Sequence, residues 1–113
     1  MDERNVMSAS QYRGQLERKR KQRLDAEKKA NEYRAKESKK RADAAAARQA
    51  ALKTTSQSTA RSKVREAERR EDEAKSAGTE GSRWATRAAG YARDEANIAS
   101  RLAKAEQSEA AAA

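Results

Sequence analysis

Residues 74–105 read AKSAGTEGSRWATRAAGYARDEANIASRLAKA. Taken in alternating steps of three and four, this stretch gives Ala74, Ala77, Gly81, Trp84, Ala88, Tyr91, Glu95, Ile98, Leu102 and Ala105. All but Glu95 are apolar or small. That spacing places them along one narrow side of an α-helix, as in a coiled-coil seam. No other stretch carries so clean a pattern, so the rest of the chain is read as its partner or its surroundings.

Composition agrees with a helical reading. The 113 residues include no Pro, Cys, His or Phe and four Gly, and 40% are charged. A charged, alanine-rich chain without helix breakers is the composition of long helices and coiled coils. Disorder is the competing class, since hydropathy is low and the net charge is +9. The absence of proline, the dominance of helix formers and the period of the seam favour helix. The supply of large apolar side chains is thin, so a lone hairpin is marginal and self-association or a partner is expected.

Upstream, Met1–Met7 reads as a frayed tail with no apolar signal core. Ser8 followed three residues later by Gln11 forms a capping box, with Met7 and Tyr12 placed as a hydrophobic staple. A basic first helix is expected over 8–53. Its seam is blurred, because Lys19, Arg23, Glu37 and Lys40 fall where apolar groups are wanted. Long basic stems can still lie along an apolar surface with their heads in water. Residues 54–59, TTSQST, place five hydroxyl residues in six, a poor helix interior and a good source of caps. They are read as a turn, with Ser58 or Thr59 capping a second helix over 60–110 and residues 111–113 as a tail. The two arms are nearly equal, each roughly 65–75 Å long at helical rise. The expected fold is therefore all-α, a long antiparallel helical hairpin or coiled coil. A break near 78–82 remains open: Gly78 and Gly81 either end the helix, with Ser82 capping a third, or let another helix come close. A continuous helix through 54–59 is the other alternative.

Folding back about residue 56 sets equidistant residues face to face. Tyr33 then falls by Ala77, Gly78 and Gly81, Gly14 by Ile98, Leu24 by Ala88, and Trp84 by Lys28 as a cation–π pair. Large meets small at several of these places.

Charge is uneven. Residues 13–41 carry thirteen Lys and Arg against five Asp and Glu, whereas residues 60–113 carry eleven against ten. The densest run contains Arg18, Lys19, Arg20, Lys21 and Arg23, the candidate contacts for phosphate or an acidic partner. The plainer reading is a solvated helix face. No aromatic interrupts the run, which argues against stacking of single strands, and the leucine heptads of a bZIP protein are missing. Residues 65–73 read as an exposed mixed-charge face whose i, i+4 pairs are each worth tenths of a kcal/mol.

Ala77, Gly81, Trp84, Ala88, Tyr91, Ile98 and Leu102 are the candidate protein-interface seam, with Trp84 and Tyr91 as anchors. Packing within the hairpin is the plainer reading. Catalytic chemistry has little to stand on. Without His or Cys the commonest bases, nucleophiles and transition-metal ligands are gone, no phosphate loop or dinucleotide fingerprint is present, and neighbouring acids such as Asp94 and Glu95 point apart on a helix. No enzyme activity, cofactor, metal or small-molecule substrate is expected. No apolar run approaches the roughly 20 residues of a membrane span, and the lack of cysteine fits a cytoplasmic chain.

Residues 56–69, SQSTARSKVREAER, resemble the helical N-terminal regions of actinobacterial signalling proteins that carry a Toll/interleukin-1 receptor (TIR) domain further on. In those proteins an Ala/Lys/Arg-rich helical segment with a Ser/Thr break precedes the effector domain. The resemblance implies a bacterial assembly module linked to defence signalling. It carries over no functional residue, and no TIR domain is present here. The expected function is thus a structural module that self-associates or docks another helical protein. A nucleic-acid-binding basic helix over 13–41 is the alternative.

Overall fold

A computed structural model describes residues 7–113. Of the tail expected to fray over 1–7, residues 1–6 lie outside them. Two helices account for nearly all of this chain, α1 (Ala9–Lys53) and α2 (Gln57–Ala112), with no strand among the described residues. They pair antiparallel as a helical hairpin.

Helix α1 starts as its capping box dictates. Ser8 Oγ accepts from the Gln11 amide at 3.2 Å, and Gln11 Oε1 accepts from the Ser8 amide at 2.8 Å. Two otherwise orphaned N–H groups are satisfied reciprocally. Met7 is held too, its sulfur accepting from Gln15 Nε2 at 3.7 Å. The turn is shorter than 54–59, because Gln57, Ser58 and Thr59 are already helical. The cap is Ser56, not Ser58 or Thr59: its Oγ accepts from the Thr59 amide at 3.3 Å and its carbonyl from the Ala60 amide at 2.9 Å. Thr54 Oγ1 accepts from the Ser56 amide at 3.2 Å and closes the turn.

Helix α2 does not break at 78–82. It runs through both glycines, and Thr79 Oγ1 bonds back to the Lys75 carbonyl at 3.1 Å. A Cβ built on Gly81 would lie 3.3 Å from Tyr33 Cβ and 3.6 Å from the Ala30 carbonyl oxygen. The glycine therefore serves close approach of the two helices.

The contacts gather into two units. The first pairs residues 7–27 with 85–113, and the second is 28–84, which contains the turn. In the second, cross-helix bonds run Lys40 to Glu73 at 2.6 Å and Arg48 to Glu71 at 2.8 Å. In the first, Glu109 Oε1 accepts from the Ala9 amide at 3.2 Å, and Arg13 reaches Glu106 at 3.5 Å.

One line of covered positions on α1 runs 9, 12, 16, 19, 23, 26, 30, 33, 37, 40, 44, 47 and 51, an unbroken alternation of threes and fours, with 14, 15, 27, 43 and 50 half-buried beside it. The matching line on α2 runs 60, 63, 67, 70, 74, 77, 81, 84, 88, 91, 95, 98, 102 and 105, with further half-buried positions such as Val64 and Glu73 beside it. The buried hydrophobic residues are all alanines: Ala9, Ala26, Ala30, Ala44, Ala47, Ala67, Ala74, Ala77 and Ala88. Larger groups, Tyr12, Leu16, Tyr33, Val64, Trp84, Tyr91, Ile98 and Leu102, are each half-buried. Two helices of this width cover one stripe of each other and leave the shoulders of every large side chain in water.

Three expected pairings differ in detail. Trp84 is met by Lys29 rather than Lys28, with Nζ 4.2 Å from the ring centroid. Leu24, expected against Ala88, is 51% exposed, because the seam passes through Arg23 and Ala26 on either side of it. A Cβ on Gly14 would find Arg18 of its own helix at 3.7 Å and nothing of Ile98 within 4 Å.

Candidate interaction site

The α2 seam turns inward. Ala77, Gly81 and Ala88 are buried, and Trp84, Tyr91, Ile98 and Leu102 are half-buried beside them. A surface offered to a further chain consists of the uncovered flanks of these side chains, not of the seam line itself. At the open end of the hairpin, Met7, Tyr12 and Ala105 line a shallow groove of about 580 Å³.

The blurred stretch of the α1 seam is resolved by ion pairs. Lys19 Nζ lies 3.4 Å from Asp94 Oδ2 and 5.6 Å from the centroid of the Tyr91 ring. Arg23 Nε donates to Glu95 Oε2 at 2.6 Å, and its Nη1 reaches Glu27 at 3.0 Å. The bond from Glu95, then that from Glu27, hold the Arg23 guanidinium above its ordinary pKa. In the other unit Lys40 bonds Glu73, and the Glu37 carboxylate occupies the space over Gly78 that a Cβ would need. The four polar intrusions on α1 thus meet an acid, an acid, a glycine and an acid on α2.

The basic run is consequently divided. Lys19 and Arg23 are neutralised inside the hairpin. Arg18 and Lys21 line a groove of about 790 Å³ between the helices, together with the paired Lys19, while Arg20 is exposed and outside it. From α2 the groove receives Asp94, Asn97, Ile98 and Arg101. Among the described residues, Arg18, Arg20, Lys21 and Arg101 have no ion-pair or hydrogen-bond partner. Arg101 and Asn97 were not legible as site residues, since a search for basic runs passes over an isolated arginine. Their only signal is their i, i+4 spacing beside Ile98.

In the second unit, Glu71 is held below its ordinary pKa by the hydrogen bond from Arg48, and Glu73 by that from Lys40. Among the described residues no group of three or more His, Cys, Asp and Glu is gathered so as to hold a metal ion, and no helix is long and apolar enough to cross a membrane. No protein family, no curated protein and no solved structure matches this chain.

Proposed function

We propose that this protein is a non-enzymatic structural module whose hairpin assembles with a second helical surface, in the first instance another copy of itself. The observation that carries this reading is the state of the core. Among the described residues every buried hydrophobic residue is an alanine, while Trp84, Tyr91, Ile98 and Leu102 stay half-buried. Fully burying a side chain of that size is worth roughly 1.5–3 kcal/mol. The uncovered part of that energy is released only when a further helix lies along the flank, as it does in three- and four-helix assemblies. Catalysis forms no part of the reading, because the chain has neither His nor Cys and its acids are engaged with cations or spread along helix faces. A cytoplasmic setting fits the lack of cysteine, and the TIR-linked resemblance of residues 56–69 supports assembly in bacterial signalling.

Sedimentation equilibrium at low and high salt tests the reading. The expected mass is a multiple of the 12.5 kDa chain, constant or rising with salt, since apolar contact is not screened. A monomer at every concentration and salt would refute self-association.

A further inference from the structure

We propose that the groove lined by Arg18, Lys21 and Arg101 binds the phosphate backbone of a nucleic acid, a partner distinct from the helical one above. The two helices contribute to it together: Arg18 and Lys21 come from α1, and Arg101 and Asn97 from α2. The three cations are without partners among the described residues, whereas their neighbours Lys19 and Arg23 are tied to Asp94 and Glu95. Unpaired guanidinium and ammonium groups converging on one groove, with the Asn97 amide as a further donor, make up the donor set that phosphate oxygens take up.

Two carboxylates also line the groove. Asp94 is neutralised by Lys19 at 3.4 Å. Asp25 lies two helical turns from Arg18 along α1, and Arg101 two turns from Asp94 along the antiparallel α2. Arg18 and Arg101 therefore lie toward one end of the groove and Asp25 toward the other, with Lys21 between them one turn from Asp25, so phosphate is admitted from the first end as far as Lys21.

The groove is open and carries no aromatic ring. Contact is thus to a sugar-phosphate backbone, without base stacking or base-edge readout. Ile98 is its only large apolar residue, too little to insert in a lipid surface, which favours a nucleic acid over an anionic membrane.

Fluorescence anisotropy with a short labelled duplex DNA tests the proposal. Three phosphate contacts predict about 40-fold weaker binding on going from about 50 to about 200 mM salt. In R18E/K21E/R101E, binding falls at least about tenfold and the slope of log affinity against log salt drops by about 2.7. K28E/K36E/K39E removes the same charge from exposed lysines of the other unit and keeps that slope. If circular dichroism shows lost helix in the first variant, R18Q/K21Q/R101Q is measured instead and should show the same reduced slope. Absence of DNA binding would overturn the proposal. So would equal losses in the groove and control variants, or tighter binding to phosphatidylserine vesicles than to DNA at the same salt. Sedimentation mass is unaffected by these changes, so this proposal and that of self-association fail separately.

Discussion

Arg23 Nε and Glu95 Oε2 stand 2.6 Å apart across the seam, the Arg23 side chain 24% and the Glu95 side chain 16% exposed. Glu95 is the one charged member of the α2 seam between 74 and 105, and its second oxygen, Oε1, is buried without a partner among the described residues. Interfaces built from alanine are nearly alike from one heptad to the next, so they define sliding poorly. A polar pair that is satisfied in a single alignment supplies that definition at some cost in stability. E95A leaves Arg23 half-buried with only Glu27 and should lower the thermal midpoint. R23E/E95R should recover most of the loss in a double-mutant cycle. R23L/E95L should melt at or above the wild type, as replaced ion pairs often do. Additive single losses, with no recovery in the exchange, would remove the pair from the account of register.

Acid should loosen the turn-proximal unit. Arg48 and Lys40 hold Glu71 and Glu73 below the ordinary value of 4.5. A carboxylate depressed in the folded state binds fewer protons there than when unfolded, so stability rises with pH across the window. The contribution is fully present above about 4.5 and is lost as pH falls through the depressed folded values. Urea midpoints followed by circular dichroism should therefore decline below about pH 4.5, and E71Q/E73Q should flatten that decline. An unchanged acid limb in the double variant would assign the loss to other carboxylates.

The hairpin itself was legible because its signals are local and redundant. Ser8 and Gln11 form a two-sided cap, and the three-four alternation from Ala74 to Ala105 survives without a gap. Two things were harder. The cluster 54–59 offers several equivalent hydroxyls, so cap chemistry alone does not select Ser56. The structure selects Ser56, whose Oγ accepts from the Thr59 amide and whose carbonyl accepts from the Ala60 amide. In the sequence the charged α1 positions read as faults in a seam, whereas in the fold they are half of a pairing whose other half, Asp94, Glu95 and Glu73, lies more than thirty residues away. Within the basic run, Lys19 and Arg23 reach Asp94 and Glu95 while Arg18 and Lys21 find no acid among the described residues, a division that depends on where the α2 acids fall. Trp84 meeting Lys29 instead of Lys28 is a shift of one residue, about 100° around the helix, which midpoint folding does not fix.

Glycines at different depths should respond oppositely. A Cβ on Gly90 meets nothing within 4 Å, so G90A should gain roughly 0.5–1 kcal/mol from helix preference alone. At Gly81 the same methyl presses on Tyr33 Cβ at 3.3 Å, so G81A should gain less than G90A. G81L should cost about 1–3 kcal/mol by overpacking. Chemical denaturation midpoints give the comparison. Equal gains for G81A and G90A would mean that the helices do not approach closely at Tyr33.

Ala74 is fully buried, with no accessible surface, and it sits between Ala67 and Gly81 at successive heptad positions of α2. The distance between the helices there is set by methyl groups and a bare backbone. A74L forces three added carbons into that gap. The helices must separate locally or the side chain must leave its preferred rotamer, at a cost of about 1–3 kcal/mol. Ala42 is exposed on α1 in the same unit, and A42L makes the identical chemical change with no partner to displace, so its effect should stay within about 0.5 kcal/mol. Urea unfolding of the two variants isolates the effect of position from that of residue type. Should A74L be as stable as A42L, the seam would have room for large side chains, and the alanine-only core would no longer follow from close approach.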